Sequence, residues 1–266
     1  AIYPRTSTGR RTALARWIVS RENPLTARVA VNHVWLRHFG SSLVESVFDF
    51  GRRTPKPLHQ DLLDALALDF IESGWDLKRL HRLMLTSKTY QQHASSHDAD
   101  ENTFKQDPDN RHYWRMNSRR MEAQVVRDSL LALSGDLDLT LYGPSLDVNK
   151  NNRRRSIYFK HSRDDKDLFL QTFDDADLMQ CYRRSETVAP QQALALSNSR
   201  LSHEAARKIA ATIPEPFIEQ AFETMLARPP SDEEKAACET FMSGITQPRV
   251  RLIHVLLNHN DFITIR

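Results

Sequence analysis

The chain has 266 residues, of which only seven are glycine and 40% are hydrophobic. Glycine makes up about 7% of an average protein and takes a positive φ at low cost, so its scarcity argues against a β-sandwich or barrel with many tight turns. No G-x-G-x-x-G, G-x-x-x-x-G-K-[ST] or G-x-S-x-G motif occurs, which excludes simple Rossmann, P-loop and α/β-hydrolase folds. The net charge of +3, from 37 basic and 34 acidic residues, indicates a mixed surface and does not by itself require nucleic acid.

The first half of the chain shows helical periodicity with recognisable helix ends. Asn23-Pro24 predicts a helix start with Asn23 as the N-cap, and Gly40 predicts the end of the same helix. Asp76 is the expected N-cap of a later helix, and the polar residues 93–110 are expected to form a surface loop. The helices expected here span about 12–20, 25–39, 57–73, 77–92 and 119–134.

The second half begins with a loop-rich stretch, 136–154, and then returns to helices. Residues 156–159 (SIYF) are the best strand candidate. Ser231 and Glu234 have the spacing of a capping box, which predicts a helix start. The helices expected here lie near 168, from 190 onward, and over about 201–213, 217–227, 231–243 and 250–257.

Together these patterns predict a mostly α fold: a compact multi-helical domain of roughly nine helices with at most a short β element. We expect residues 1–266 to form one helical domain, with two helical lobes, 1–135 and 160–266, joined by a loop-rich segment as the alternative. No apolar run approaches the ~20 residues of a membrane span, and we recognise no signal peptide. Because the chain begins with Ala1 rather than Met, we expect it to be a piece of a longer protein.

Seven stretches of the chain carry a family resemblance. They are LARWIVSRENPLTARVAVNHVWLRHFG at 14–40, FDFG at 48–51, FIESGWDLKRLHRLMLTSKTYQQ at 70–92, DPDNRHYWRMNSRRMEAQVVRDSLLALSG at 107–135, RRSIY at 154–158, FDDADLMQCYRRSETVAPQQALALSNS at 173–199 and LLNHNDF at 256–262. Through these blocks the chain resembles a domain of unknown function of planctomycete-type surface proteins, which lies C-terminal to cytochrome c-like domains.

The resemblance implies a setting rather than a reaction. Relatives carry c-type haem domains, and some carry lectin-like or other carbohydrate-binding modules, which implies an extracytoplasmic protein in the periplasm or at the cell surface. The chain has no C-x-x-C-H motif, so a c-type haem would sit on a preceding domain and not on this one. The implied partners are therefore other domains of the same protein, cytochrome c-like domains among them, and a polysaccharide.

One face of the helix predicted at 25–39 combines polar and aromatic side chains. Arg28, Asn32 and Trp35 follow one another at helical spacing, His38 is close by, and Asp49 comes soon after in sequence. An indole that stacks on a sugar and a guanidinium that makes a forked contact could hold a saccharide or a carboxylate. The same residues could instead form a buried polar network that joins the helix to the FDFG loop.

Carboxylates and arginines gather in residues 173–191. The candidates here are two acid–base carboxylates and two ligand-binding arginines, namely Asp174, Asp177, Arg183 and Arg184. Glycoside hydrolysis needs two carboxylates on opposite sides of a bond, and Asp49 is a further candidate for that role. Salt bridges and loop caps are the alternative interpretation of the same charges. Cys181 in this segment is either a small buried hydrophobe or a reactive thiol.

One acidic stretch imitates the start of a calcium loop. Its candidate ligands are Asp98, Asp100, Asn102 and Asp109. The sixth position of the pattern is Thr103 where the turn requires glycine, and the twelfth is aspartate rather than glutamate. A solvated loop is therefore favoured over a calcium site. Although the chain has eleven histidines, it contains no H-E-x-x-H motif, so we expect no metal and no cofactor in this chain.

Four arginine clusters raise the question of nucleic acid. They are Arg52-Arg53, Arg119-Arg120, Arg153-Arg154-Arg155 and Arg183-Arg184. Acidic residues are interleaved with them throughout, which favours a salt-bridged, solvated surface.

These observations favour a helical module of an extracytoplasmic multidomain protein that binds a partner domain or a saccharide-like ligand. The first alternative is a polysaccharide-acting enzyme that uses aspartate carboxylates. The second is nucleic-acid binding through the arginine clusters. No catalytic motif in the sequence decides whether the chain is an enzyme.

Overall fold

A computed structural model of the chain describes residues 7–95, 100–148, 152–179 and 184–265. These residues form twelve α-helices, two short 3₁₀ turns and one two-stranded sheet, which confirms the mostly α prediction. None of the described helices has the length and apolar composition needed to span a bilayer. The chain divides into two compact units, the first ending at Arg119 and the second running from Arg120 to Ile265.

The first unit is built around one long helix. Its helices are α1 (Arg10–Ile18), α2 (Thr26–Phe39), α3 (Gln60–Glu72), α4 (Leu77–Leu85) and α5 (Glu101–Gln106). Helix α2 packs against α3 and α4. Its buried Val31 and Phe39 join Leu63 of α3 and Leu80 of α4 in a single apolar core. Gly40 ends α2 with a φ of 75°, a conformation that costs glycine little.

The second unit is centred on α9 and α12. Its helices are α6 (Ala123–Leu133), α7 (Leu168–Thr172), α8 (Pro190–Asn198), α9 (Arg200–Thr212), α10 (Phe217–Leu226), α11 (Asp232–Ser243) and α12 (Pro248–Leu257). The two short strands are β1 (Arg119–Arg120), which includes the last residue of the first unit, and β2 (Thr264–Ile265). Ile209 of α9 and Ile253 of α12 are almost fully buried in its core. Helix α6 packs on α7 and α9, which fixes the N-terminal end of α6 beside the cleft described below.

Helix α6 belongs to the second unit because its apolar face, including Val126 and Leu130, is buried in that unit's core. The sequence interpretation offers a first lobe over residues 1–135 only as the alternative to one domain. That residues 1–266 form one domain, or the two lobes 1–135 and 160–266, stays a prediction.

The two helix caps predicted from the local sequence, at Asp76 and Ser231, are present in the structure. The Asp76 carboxylate accepts a hydrogen bond from the Arg79 amide at 3.1 Å and caps α4 as predicted. The Ser231 hydroxyl accepts from the Glu234 amide, while the Glu234 carboxylate accepts from the Ser231 amide. This reciprocal pair is the predicted capping box.

Three other predictions of secondary structure were wrong. The predicted strand at 156–159 is a 3₁₀ turn, because the Ser156 amide and hydroxyl both donate to the Asp128 carboxylate. Asn23 is not the N-cap of α2, because the helix begins only at Thr26 with Leu25 before it. The Asn23 side-chain oxygen accepts from the Leu25 amide at 2.9 Å, and its amide group donates to carbonyls at the end of α1. The expected loop at 93–110 contains α5.

Candidate functional site

Two of the polar residues predicted on α2 are held within the first unit. Asn32 is fully buried, where its amide donates to the Val44 carbonyl at 3.1 Å and its carbonyl accepts from the Val44 amide at 2.9 Å. Arg28 donates through Nε to an Asp64 carboxylate oxygen 2.5 Å away. This guanidinium holds the pKa of the Asp64 carboxyl below its usual value.

The two aromatic residues of the same set are also engaged. The Trp35 indole N–H donates to the Tyr113 hydroxyl at 2.8 Å. His38 Nε2 lies 2.7 Å from His81 Nδ1, so one proton joins the two rings. Burial, then His81 and then Arg119 lower the pKa of His38. These side chains already have intramolecular partners, and their role as ligand contacts stays a prediction.

Asp49 lies in an exposed turn of the first unit. Its carboxylate accepts from the Gly51 amide at 2.8 Å, and its backbone carbonyl accepts from the hydroxyls of Ser46 and Thr54. The other two acid–base candidates, Asp174 and Asp177, belong to the second unit. The three predicted carboxylates therefore do not come together within one unit, and their catalytic role stays a prediction.

The calcium candidate does not adopt the extended loop that its pattern requires. Residues 101–106 form α5, so Asn102 is on a helix, and Asp100 precedes that helix. Asp98 lies outside the described residues. Within the parts of the chain that the structure describes, no group of three or more histidine, cysteine or acidic side chains is arranged to hold a metal ion.

A polar cleft of about 620 Å³ opens in the second unit. Its walls come from the start of α6, residues 156–167, α7 and residues 174–179. Five carboxylates line it, namely Asp165, Asp167, Asp174, Asp175 and Asp177, and four basic side chains lie among them, namely Lys160, His161, Arg163 and Lys166. The structure thus places Asp174 and Asp177, two of the sequence candidates, in one cleft.

Asp175 is the best-held carboxylate of this cleft. One of its oxygens accepts from the Gln124 side-chain amide at 2.6 Å and from the Ala176 backbone amide at 2.7 Å. The other faces His161 Nδ1 at 3.8 Å. Because His161 Nε2 lies 2.7 Å from the Ala176 carbonyl, which can only accept, Nε2 carries the proton in the neutral ring. The Asp175 carboxylate is therefore held through the oxygen that Gln124 and the Ala176 amide contact.

The neighbouring carboxylates are held by their own loops. Asp174, with a φ of 59°, accepts from the Thr187 amide at 2.7 Å and from its hydroxyl at 2.9 Å. The buried Gln192 donates in turn to the Thr187 carbonyl. Asp177 accepts from the Met179 amide in a tight turn. These bonds give the wall of the cleft a defined shape.

Two side chains near the cleft keep buried polar atoms without a hydrogen bond. Gln124 Oε1 is one, and Nε and Nη1 of Arg184 are the others. Arg184 forms an ion pair with Glu122 at 3.4 Å. Buried polar atoms are nearly always satisfied in folded proteins, so these atoms are suited to a ligand or a bound water. Arg183 and Cys181 lie outside the described residues.

Sequence reasoning missed Gln124 and His161. Gln124 is an ordinary residue at the start of a helix, and His161 is one of eleven histidines, so neither has a local signal. Cys238, the other cysteine, is half-buried on α11, and burial raises the pKa of its thiol.

Four of the eight described arginines of the predicted clusters, namely Arg119, Arg153, Arg154 and Arg184, contact the protein's own groups. Arg154 stacks on the Tyr158 ring at 4.1 Å and donates to the carbonyls of Thr140 and Tyr142. Arg153 pairs with Asp136 at 3.0 Å. Such arginines order loops and are only partly available to phosphates.

Comparison of the whole chain with curated proteins and with solved structures gives no match. One family model does match, over residues 10–242, and it is described as PSD1, a protein of unknown function (DUF1553). The matched range includes both the α2 network and the polar cleft. The chain therefore belongs to the PSD1 (DUF1553) family.

Proposed function

We propose that the chain is a helical binding module and that the polar cleft of its second unit receives a saccharide-like ligand. The observation that carries this proposal is Asp175, whose carboxylate is held by Gln124 and the Ala176 amide beside His161 in a cleft of about 620 Å³. A carboxylate held in place accepts hydrogen bonds from ligand hydroxyls without first losing its own freedom. Gln124 Oε1 beside it is buried without a hydrogen-bond partner.

The other lining residues suit a polyhydroxylated molecule. The carboxylates accept hydrogen bonds from hydroxyls, while Lys160 and Lys166 donate to ring and hydroxyl oxygens. Leu178 and Met179, the latter 76% exposed, offer apolar surface to the C–H face of a sugar. A mixed set of donors, acceptors and apolar surface is the usual make-up of a small-molecule site.

The setting of the module is part of the same proposal. The resemblance to planctomycete-type surface proteins supports an extracytoplasmic chain that docks against other domains, cytochrome c-like domains among them. The sequence has no C-x-x-C-H motif, so this chain does not fit a c-type haem, and any haem would belong to another domain.

A binding role is favoured over acid–base catalysis by how the carboxylates are used. Asp174 and Asp177 accept hydrogen bonds from their own loop, and both ring nitrogens of His161 face protein oxygens. A general base needs a free position within hydrogen-bond reach of the proton it removes. Glycan hydrolysis is therefore the alternative outcome, which product analysis in the binding experiment below would detect.

Binding to soluble polysaccharides tests the proposal. We would measure the affinity of the full chain for a panel of neutral and acidic glycans by calorimetry, with product analysis for hydrolysis. Asp175→Asn should weaken the best ligand by about tenfold or more, since a hydrogen bond to a charged group contributes about 1.5–3 kcal/mol. The matched control is Asp164→Asn, an exposed residue outside the cleft lining, which should bind normally.

Two results would overturn the proposal. The folded wild-type chain could bind none of the glycans, or Asp175→Asn could bind as well as Asp164→Asn. Hydrolysis by the wild-type chain that disappears in a folded Asp174→Asn variant would instead support the enzyme alternative.

A further inference from the structure

A second, smaller cavity adjoins the cleft in the second unit. It has a volume of about 340 Å³ and is lined by residues of α6, of segments 134–136 and 152–153, and of the first turns of α7 and α9. Val148 and Asp167 line both this cavity and the cleft. Asp167 is fixed at that junction, because its carboxylate accepts from the Leu170 amide at 2.9 Å and caps α7. The two cavities therefore meet at the N-terminal end of α7.

The second cavity offers an aromatic surface. Phe169 and Leu201 line it, and both side chains are half-buried. The ring of Phe169 packs against Phe173, with the two ring centroids 4.9 Å apart, which holds its orientation. An aromatic ring in a defined orientation provides a large apolar surface, which suits the C–H face of a sugar. Within α7, Phe169 lines the second cavity whereas Gln171 lines the cleft, so this short helix presents residues to both.

The carboxylates of the second cavity are paired with neighbouring cations. Both oxygens of Asp136 accept from Lys208 Nζ at 2.6 Å, and one of them pairs with Arg153 at 3.0 Å. Glu204 accepts from Arg200 at 2.6 Å. A paired carboxylate keeps lone pairs that accept hydrogen bonds from hydroxyl groups. Because each negative charge already has a positive partner, a neutral ligand rich in hydroxyls suits this cavity better than a charged one.

We propose, on the basis of the saccharide binding proposed above, that the cleft and the second cavity together receive one extended ligand. This ligand is a neutral oligosaccharide of several units that passes the N-terminal end of α7. One end of it lies beside Asp175 in the cleft, and the other lies against Phe169 and Glu204. A single molecule makes the second contact intramolecular, so a ligand that spans both cavities binds more tightly than a fragment that fills one.

Size favours a chain of sugars over a single one. Cavities that bury a drug-sized ligand have volumes of about 300–1,000 Å³, and the cleft and the second cavity each reach that range. Both combine carboxylates, other polar side chains and apolar surface. Two adjoining cavities of similar chemistry suit a ligand that repeats one chemical unit. Two separate small ligands are the competing occupants, and the experiment below separates them from a chain.

A length series of oligosaccharides tests the proposal. The probes are size-defined cello-, xylo- and manno-oligosaccharides of one to six units, titrated into the full chain in a calorimeter. In a series that binds, we expect the affinity to rise by about tenfold or more between the two-unit and the six-unit members, because only the longer ones span both cavities. One six-unit molecule should bind per chain.

Variants of the second cavity locate the far end of the ligand. Phe169→Leu removes the aromatic ring but keeps an apolar side chain, and Glu204→Gln removes a charged acceptor. Each should lower the affinity for the six-unit ligand by about fivefold or more and leave that for the two-unit ligand unchanged. Asp175→Asn should weaken both lengths. The matched controls are Phe241→Leu and Glu239→Gln, at exposed positions of α11 outside both cavities, which should bind like the wild-type chain.

Equal affinities for the two-unit and six-unit ligands overturn the proposal, and so does binding of two six-unit molecules per chain, which would indicate separate sites. Unchanged six-unit binding in the folded second-cavity variants also overturns it. Circular dichroism verifies their fold, and Glu204→Gln, which changes a partly exposed side chain, serves alone if Phe169→Leu does not fold.

The length series also separates this proposal from the binding function on which it rests. If polysaccharides bind the chain but none of the neutral oligosaccharides does, the extended neutral ligand is wrong while saccharide binding in the cleft stands. If neither polysaccharides nor oligosaccharides bind the folded chain, both proposals are wrong.

Discussion

His38 Nε2 and His81 Nδ1 lie 2.7 Å apart, joining α2 to α4 through a single shared proton. The Tyr90 ring stands edge-on to His38, and Arg119 lies close enough to oppose a positive charge there. Protonation of both rings would place two cations side by side in a half-buried position. The pair is therefore compatible with one charge at most.

This pair makes the stability of the first unit sensitive to acid. Burial, His81 and Arg119 lower the pKa of His38 in the folded state below the unfolded value of about 6.5. Protons then bind the unfolded chain more tightly, so the free energy of unfolding decreases as pH falls through and below that value. His38→Gln, which cannot titrate, should lose less stability between neutral pH and about pH 5 than the wild-type chain.

Urea unfolding at several pH values, followed by hydrogen exchange of the α2 and α4 amides, measures this difference. His93→Gln, which changes an exposed histidine of the same unit, is the control and should follow the wild-type profile. An identical pH dependence in His38→Gln and the wild-type chain would contradict the prediction.

Asn32 fastens the segment after α2 to the helix itself. Asn32→Ala leaves the Val44 amide and carbonyl buried without partners, and we expect a loss of about 2–4 kcal/mol in the free energy of unfolding. Asn102→Ala, on the exposed surface of α5, should change stability by less than about 0.5 kcal/mol. Equal losses in the two variants would show that the Val44 bonds contribute nothing.

Arg127 holds the chain between α6 and α7 in the second unit. Its buried guanidinium, whose pKa is lowered by that burial, donates to the Arg154 carbonyl at 3.1 Å, to the Ser156 hydroxyl at 3.0 Å and to the Asn152 carbonyl. Arg127→Met leaves these acceptors and Asp128 without a cation, which should cost about 3–5 kcal/mol. Thermal and urea unfolding should show this loss, while Arg207→Met on the exposed face of α9 stays near wild type.

Arg228 bridges Glu234 at the start of α11 and Asp261 near the C-terminus, with N–O distances of 2.7 and 2.8 Å. The guanidinium holds the pKa of Glu234 at about 2, below its ordinary 4.5. Because the folded pKa is the lower one, the pair stabilises the protein above about pH 4.5 and loses that effect as pH falls toward 2.

Glu234→Gln should therefore lower stability at neutral pH by about 1–2 kcal/mol, a value reduced for the one-third exposure of the pair. It should also flatten the acid dependence between about pH 4.5 and 2. Unfolding curves across that range provide the measurement, with the exposed neighbour Glu233→Gln as the control. A neutral-pH loss with an unchanged acid profile would contradict the assigned pKa.

Several features of the fold could be predicted because their causes are local. The capping box at Ser231 and the cap at Asp76 each involve donors and acceptors three residues apart, so the sequence contains the whole interaction. The 3₁₀ turn at Ser156 could not be predicted, since it depends on Asp128, 28 residues earlier in the chain. The same holds for Asn23, whose side chain bonds both to the end of α1 and to the Leu25 amide, while α2 begins only at Thr26.

The residues of the candidate site were harder still to predict from the sequence, because they come from distant parts of the chain. Asp174 and Asp177 were recognisable as a cluster because they are neighbours in sequence. Gln124 meets Asp175 across 51 residues, and His161 reaches the same carboxylate from a loop without a pattern of its own. No spacing rule connects residues so far apart in sequence.

The amino-acid sequence by itself determined the helical character of this protein, because periodicity, caps and the scarcity of glycine all act within a few residues. Only the tertiary structure decided which polar groups meet, turning Asn32 and Trp35 inward while leaving a lined cleft around Asp175. The physical reason is that a helix fixes which side its residues face, whereas the packing of helices decides whether that side meets core, cleft or solvent.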